Sequence, residues 1–136
     1  MESVEFERPG TVEEAVNLLQ STTGNAKILA GGTDLLVQLR AHMVEPDVII
    51  DIKDIEETRT LTKNSDGSYT IGAAVAGAEA GDRDDITKDW PGVVEGWELI
   101  GSTQIQGRAS LGGNLCNASP AGDSVPAMVA AGMTVN

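Results

Sequence analysis

The sequence predicts a mixed α+β fold, α/β-like in its first part, with two subdomains. Strands and helices alternate through residues 1–52, the pattern of a small βαβ unit with a three-stranded parallel sheet. From residue 53 the pattern changes to a hairpin signal and glycine-punctuated segments. This change predicts a second, incomplete α+β subdomain with an antiparallel or mixed sheet over residues 53–136. Hydrophobic residues make up 40% of the 136, enough for a core.

The chain begins with a predicted strand and a predicted helix. Val4 to Phe6 alternates with acidic residues, which favours a short strand. Thr11 and Glu14 have the spacing of a capping box, which opens a helix. Gly24 is the expected end of that helix. Its apolar residues recur at helical spacing and predict a buried stripe of Val12, Ala15, Val16 and Leu19.

A strand, a glycine turn and a second helix follow. Ile28 to Ala30 is a short apolar run typical of a buried strand. Gly31-Gly32-Thr33 forms the turn, and Pro46-Asp47 stops the helix before a buried strand at Val48 to Ile50. The helix carries one apolar face, made of Leu35, Leu36, Leu39 and Met43.

The second half contains a predicted hairpin and two predicted helices. Asp66-Gly67 lies between two strand-like runs, which is a hairpin signal. Asp123 or Ser124 caps the last helix, Gly132 ends it, and Met133 to Val135 has the pattern of a strand that has just begun. Apolar faces identify the two helices, with Val93, Val94, Trp97 and Ile100 on one and Val125, Met128 and Val129 on the other.

Composition excludes several classes of protein. Nine basic residues against twenty-one acidic ones give a net charge of −12, which argues against nucleic-acid binding. No apolar run approaches the roughly 20 residues of a membrane span, and the acidic N-terminus is unlike a signal peptide. We therefore expect a cytoplasmic protein. A single Cys116 and a single His42 predict neither a disulfide nor a metal site.

Two glycine-rich segments are the candidate binding site. Gly31-Gly32-Thr33 is either a structural turn or a phosphate cradle of main-chain N–H groups, and it matches neither a Walker A loop nor the G-x-G-x-x-G fingerprint. Asp34 would repel a phosphate, so we expect it to cap the following helix. Ser110-Leu-Gly-Gly-Asn114 repeats the pattern inside residues 107–120, which are too polar for core.

Two such loops suit a ligand with two phosphates, or one phosphate region gripped from both sides. Asp123 could accept hydrogen bonds from sugar or ribityl hydroxyls, or it could only cap the last helix. No catalytic side chain can be assigned, because Cys116 lacks the partners of a nucleophile and no Ser-His-Asp set can be assembled. A bound cofactor is therefore expected to supply the chemistry.

With both loops in view, the sequence resembles the FAD-binding medium subunit, or domain, of molybdenum hydroxylases. This family includes xanthine dehydrogenase and aerobic carbon monoxide dehydrogenase, and the resemblance leans towards the latter branch. The matching motifs run in order along the whole chain: Phe6-Glu-Arg-Pro9, Glu14-Ala15, Leu29-Ala-Gly-Gly-Thr-Asp-Leu35, Ile49-Ile-Asp-Ile52, Ile71-Gly-Ala73, Ile100-Gly-Ser-Thr-Gln-Ile105, Leu111-Gly-Gly-Asn-Leu-Cys-Asn-Ala-Ser-Pro120 and Asp123-Ser-Val-Pro126.

The resemblance implies a PCMH-type FAD-binding fold and a role for each matching position. Asp123 would bind sugar or ribityl hydroxyls, and Ile100 would touch the flavin. One loop would wrap the FAD pyrophosphate through the main chain of Ile28, Leu29, Ala30, Gly31, Gly32, Thr33, Asp34 and Leu35. The other would grip it through Ser110, Leu111, Gly112, Gly113 and Asn114.

The resemblance also implies partners. A [2Fe-2S] small subunit would pass electrons to FAD after a molybdopterin large subunit has oxidised the substrate. The external acceptor is NAD⁺, quinone or oxygen, and the assembly is expected to be a homodimer of heterotrimers. The [2Fe-2S] cluster and the molybdopterin are expected in those partners and not in this chain.

The chain departs from the family pattern at three points. Gln106-Gly107 replaces the usual Arg-Asn, and Gly77 and Gly81 lie where the family has a firmer helix. Family chains are about twice as long, so we expect a fragment or a truncated product. Two alternatives to the FAD-binding electron-transfer subunit stay open. One is a non-enzymatic remnant or assembly module that no longer binds FAD, and the other is a different enzyme that binds a phosphate or nucleotide sugar.

Overall fold

The computed structural model describes residues 4–136. Its strands are β1 (Glu5–Glu7), β2 (Ala26–Leu29), β3 (Val48–Asp51), β4 (Leu61–Lys63) and β5 (Tyr69–Ile71). Its helices are α1 (Val12–Ser21), α2 (Leu35–Arg40), α3 (Glu56–Arg59), α4 (Gly77–Gly81), α5 (Asp84–Asp89), α6 (Pro91–Glu98), α7 (Thr103–Gln106), α8 (Leu111–Cys116) and α9 (Ser124–Ala130). None of the helices in this part of the chain has the length and apolar character to cross a bilayer.

The N-terminal elements form the predicted parallel sheet. Its strand order is β1-β3-β2, with both outer strands parallel to β3. All four residues of β3 are buried, as expected for the central strand of a covered parallel sheet. Leu29, the last residue of β2, lies opposite Asp51, the last residue of β3. The turn after β2 and the turn after β3 therefore leave the sheet at the same edge.

Helix α1 begins as predicted but buries less than predicted. The Thr11 hydroxyl accepts a hydrogen bond from Glu14 N at 3.1 Å, while the Glu14 carboxylate accepts from Gly10 N at 2.7 Å. Only Ala15 of the expected stripe is buried, because the helix covers a narrow three-stranded sheet through Ala15 and the partly buried Leu18. The helix ends at Ser21, before the expected Gly24. The prediction was wrong for the other three apolar residues, which are 37–45% exposed: Val12, Val16 and Leu19.

Helix α2 is shorter than its apolar pattern predicted. It ends at Arg40, because His42 takes a left-handed conformation with a φ of 54°. His42 N donates to Leu39 O, and Met43 N donates to Gln38 O, which is the Schellman pattern of helix termination. The predicted apolar face is not a buried one, since α2 has no buried residue.

The second part of the chain contains the predicted hairpin and a helical core. Strands β4 and β5 pair antiparallel, and Gly67 occupies the turn with a φ of 88°. Gly132 ends α9 in a left-handed conformation, as predicted, but Met133 to Val135 form no strand, so that expectation was wrong. The helices pack on a core that includes Val75, Trp97, Ile100, Leu111 and Met128. The observed α+β fold thus agrees with the predicted class, while the division at residue 52 stays a prediction.

Ion pairs join the hairpin to α5. Lys63 Nζ lies 2.5 Å from Asp89 Oδ2, and Tyr69 donates to the same oxygen at 3.0 Å. Arg83 binds Asp85 through two nitrogens and the carbonyl of Leu61 through a third. The Arg83 hydrogen bond is the main cause that lowers the pKa of Asp85 to about 2. These ion pairs lie at the surface, and the hairpin is held beside the helical core mainly by Leu61, Tyr69 and Ile71, which pack against it.

Candidate cofactor-binding site

The main chain after β2 presents a row of N–H groups. Gly32 takes a left-handed conformation with a φ of 79°, which favours glycine. Leu36 N is the first amide of this turn with a main-chain acceptor, Gly32 O at 3.0 Å. Within residues 4–136, the N–H groups of residues 31–35 have no acceptor. A row of free N–H groups around a left-handed glycine is typical of an anion-binding nest.

The two glycine-rich segments are in direct contact. A β-carbon added at Gly31 would overlap the carbonyl oxygen of Arg108 and lie 3.1 Å from Ala109 Cα. A β-carbon added at Gly112 would lie 2.7 Å from Ala73 Cα, so this glycine also permits a close main-chain approach. The first loop therefore packs against the residues that lead into Ser110, and the fold brings the two predicted loops together.

The second glycine-rich segment is more regular than predicted. Residues 107–120 were expected to be too polar for core and to carry the second loop, but they contain α8, and Ala109, Ser110 and Leu111 are buried. Ser110 is 2% exposed and its hydroxyl accepts from Gly113 N at 3.0 Å, which caps the helix, while Leu111 anchors it in the core. Ser110 also forms an isolated antiparallel bridge with Ala76. Capping and burial outweigh the low helix propensity of the two glycines.

Neither Asp34, which was expected to cap a helix, nor Asp123, for which capping was one of two open interpretations, caps its helix. Asp34 and Asp123 occupy N-cap positions, but both have α-helical backbone angles and neither side chain makes a capping hydrogen bond. Side-chain capping requires an extended residue at this position, so the capping interpretation was wrong for both. Both residues are exposed. The Asp123 carboxylate remains available to accept hydrogen bonds from a ligand.

Asn114 connects the second loop to α9. Its Oδ1 accepts from Ser124 Oγ at 2.6 Å, and Ser124 is fully buried. This bond ties the start of α9, and with it Asp123, to α8. Gln38 of α2 donates to Asn117 Oδ1 at 3.3 Å. This bond adds a contact between α2, which follows the first loop, and the C-terminal end of α8.

The remaining predicted residues have mixed environments. Ile100 and Leu111 are 8% and 4% exposed and pack in the helical core, so the structure gives them a packing role. Leu29 is also buried, whereas Ile28 is half exposed on β2. A contact between Ile100 and a flavin stays a prediction.

Sequence reasoning missed one residue of this site. Lys53 Nζ donates to Ala30 O at 2.9 Å and lies 2.6 Å from Asp51 Oδ1. Part of the signal is in the sequence, because Asp51 ends the strand beside β2, Lys53 follows it, and the carboxyl ends of adjacent parallel strands meet at one edge. The motif Ile49-Ile-Asp-Ile52 contains Asp51, but no sequence pattern pairs Lys53 with Ala30, 23 residues away.

Comparisons with known proteins identify the family of this chain. Residues 2–136 match the family model described as the FAD binding domain in molybdopterin dehydrogenase. The xanthine dehydrogenase FAD-binding subunit of Escherichia coli O157:H7 is 35% identical over 119 residues, which are 88% of this chain and 40% of that protein. The nicotinate dehydrogenase FAD-subunit of Eubacterium barkeri is 35% identical over 136 residues, 99% of this chain and 46% of that protein.

Solved structures have the same fold. Carbon monoxide dehydrogenase from Hydrogenophaga pseudoflava superposes with a TM-score of 0.80 at 30% identity, covering 86% of this chain and 40% of that one. Reconstituted CO dehydrogenase from Oligotropha carboxidovorans gives 0.82 at 28% identity, covering 90% of this chain and 42% of that one. The chain spans less than half the length of these relatives. Because the family model matches almost every residue, the resemblance is confirmed: this chain belongs to the FAD-binding domains of molybdopterin dehydrogenases.

Proposed function

We propose that this chain is the FAD-binding part of an electron-transfer subunit in a molybdenum-containing dehydrogenase of the xanthine or carbon monoxide type. In this proposal electrons reach FAD from a [2Fe-2S] subunit and leave for an external acceptor. The observation that carries the proposal is the row of free N–H groups at residues 31–35, packed against the second glycine-rich segment.

The residues present fit a dinucleotide pyrophosphate. The nest at residues 31–35 offers consecutive donors, and Gly31 and Gly112 lie where a β-carbon would meet neighbouring main chain. A chain with net charge −12 holds an anion best through neutral main-chain N–H groups, because it has few cationic side chains to spare. Bound FAD would supply the redox chemistry through its isoalloxazine ring, which exchanges one or two electrons.

The side chains around the loops would orient the cofactor. Asp123 would accept hydrogen bonds from sugar or ribityl hydroxyls, since its carboxylate is exposed and makes no capping bond. Among residues 4–136 the Asn114 amide nitrogen has no acceptor, so it can donate to the ligand, while its oxygen accepts from Ser124. Residues 28–35 and 110–114 would thus contact the pyrophosphate mainly through their main chain, and the side chains would fix the rest of the ligand.

The proposed partners are an iron-sulfur small subunit and a molybdopterin large subunit. Two relatives have names that describe parts of larger assemblies: the caffeine dehydrogenase subunit beta of Pseudomonas and the carbon monoxide dehydrogenase medium chain of Hydrogenophaga pseudoflava. We place the assembly in the cytoplasm, as a homodimer of heterotrimers. The external acceptor is NAD⁺, quinone or oxygen.

The experiment is flavin retention by the full-length protein produced with its partner subunits. Wild-type protein should show a flavin absorption spectrum. Gly32→Val should lose it, because the side chain adds strain of about 1–3 kcal/mol in the left-handed region and its β-carbon lies 2.7 Å from Leu29 Cδ1.

The matched control is Gly67→Val. Gly67 has a similar φ of 88° but lies in the hairpin turn with open space around it, so this variant carries the same backbone strain without touching the loop. It should retain flavin. A wild-type complex that purifies without flavin, or full retention in Gly32→Val, contradicts the proposal.

A further inference from the structure

We propose that Lys53 is a positioning residue for the loop of residues 31–35. It fixes the Ala30–Gly31 peptide so that the Gly31 N–H is presented to the pyrophosphate. The inference rests on the proposed FAD-binding function and adds a residue that sequence motifs do not identify. Lys53 acts here through the main chain and not through direct contact with the ligand.

The contacts of Lys53 are those of a fixed side chain. Its Nζ is 2.9 Å from Ala30 O and 2.6 Å from Asp51 Oδ1, and Asp51 Oδ1 also accepts from Lys53 N at 3.0 Å. The side chains of Lys53 and Asp51 are 23% and 7% exposed. In every other ion pair among the described residues both side chains are at least 34% exposed. Among these ion pairs, Lys53–Asp51 is therefore the one that is best shielded from solvent and whose side chains are most restricted in conformation.

The hydrogen bond to Ala30 O sets the direction of the next amide. In a trans peptide the C=O and the following N–H point in opposite directions. Because Ala30 O points at Lys53, the Gly31 N–H points away from it. Within residues 4–136 no main-chain donor reaches Ala30 O, so Lys53 is its partner. Without Lys53 this peptide could rotate and turn its carbonyl towards the anion.

The charge of Lys53 is not its main contribution. Asp51 lies 2.6 Å from the ammonium and compensates its charge, so the pair presents little net charge to a phosphate. The alternative is a purely structural tie between β2 and β3. These strands are already joined by Ile52 N donating to Leu29 O at 3.1 Å, which makes a second tie at the same edge redundant for the sheet.

The test uses the full-length protein in complex with its partner subunits, reconstituted with FAD. Lys53→Met removes the donor to Ala30 O, Lys53→Arg keeps a donor, and Lys63→Met is the matched control that breaks an exposed Lys–Asp pair in the hairpin. The measurements are the dissociation constant of FAD, the melting temperature and the ³¹P resonances of the bound pyrophosphate. The ³¹P resonances respond to the phosphate's hydrogen bonds and are not moved by a loss of stability alone.

We expect Lys53→Met to weaken FAD binding on the order of tenfold and to shift the ³¹P resonances, since a hydrogen bond to a charged group is lost. Lys53→Arg should recover most of both, and Lys63→Met should change neither. Unchanged ³¹P resonances in Lys53→Met overturn the inference even if its melting temperature falls. Should Lys53→Met be insoluble, Asp51→Asn loosens the ammonium and must shift the same resonances, or the inference fails.

The two proposals fail in different ways. Wild-type protein that binds no FAD removes the proposed function. Wild-type protein that binds FAD, together with a Lys53→Met variant whose affinity and resonances are unchanged, leaves that function standing and removes only the role of Lys53.

Discussion

Ser124 shows how a residue with no ligand contact can shape the site. It is fully buried, and its hydroxyl donates to Asn114 Oδ1 at 2.6 Å. The bond fixes the amide of Asn114 and the first residue of α9, which Asp123 directly precedes. The sequence offered Ser124 only as an alternative helix cap, because a contact across ten residues between two helices leaves no local pattern.

We predict that Ser124→Ala lowers the free energy of unfolding by about 1–3 kcal/mol, because it leaves the Asn114 oxygen without its donor. It should also weaken FAD binding, since Asp123 is no longer held. Ser21→Ala, which removes an exposed hydroxyl bound to Leu18 O, serves as the control. Denaturant unfolding and FAD titration of the full-length protein measure both effects, and equal stabilities for the two variants would contradict the prediction.

At the scale of elements, Gly77 and Gly81 of α4 have different roles although both looked like helix breakers. A β-carbon added at Gly77 would lie 2.9 Å from Trp97 Cδ1, whereas at Gly81 the nearest atom is Val94 Cγ1 at 3.8 Å. Trp97 is 1% exposed, and its indole ring occupies the space that Gly77 leaves. Gly77 is therefore required for packing. At this position, where the family has a firmer helix, the glycine leaves room for the ring of Trp97.

This geometry predicts opposite effects of one substitution at two positions of α4. Gly77→Ala should destabilise the protein by about 1–3 kcal/mol, because overpacking against Trp97 outweighs the gain in helix propensity. Gly81→Ala should stabilise it by up to about 1 kcal/mol, since the gain in propensity meets no clash. Thermal and denaturant unfolding give both values. Two changes of the same sign would show that space beside Trp97 does not limit α4.

Elements were predictable where the signal is local. The parallel strands, the hairpin at Gly67 and the Thr11 cap follow from spacings of two to four residues. Burial was not predictable, because it depends on what covers a face: Val12 and Val16 have helical spacing but lie outside the strip that meets the sheet. Capping by Asp34 and Asp123 failed because it depends on backbone angles that a residue type does not set.

At the scale of the whole molecule, the site depends on contacts distant in sequence. Lys53 reaches Ala30 across 23 residues, and Gln38 reaches Asn117 across 79. Strand register and the packing of the two glycine-rich segments create these contacts, so neither could be read from a motif. The motifs identified the loops, and the fold determined which N–H groups remain free.

The net charge of −12 leads to a prediction about how an anion reaches these loops. FAD carries a negatively charged pyrophosphate, and the chain repels it at long range, while the main-chain donors attract it only at contact. The Debye length falls from about 30 Å at 0.01 M salt to about 10 Å at 0.1 M. Added salt should therefore screen the repulsion and raise the association rate of FAD by a factor on the order of two to ten. A phosphate site built from Lys and Arg would respond in the opposite direction.

Stopped-flow flavin fluorescence on the flavin-free full-length protein gives the rate, with uncharged riboflavin as the control ligand whose rate should not depend on salt. A rate for FAD that falls with salt would assign its capture to exposed cations near the loops, such as Arg108, and not to the main chain of residues 31–35.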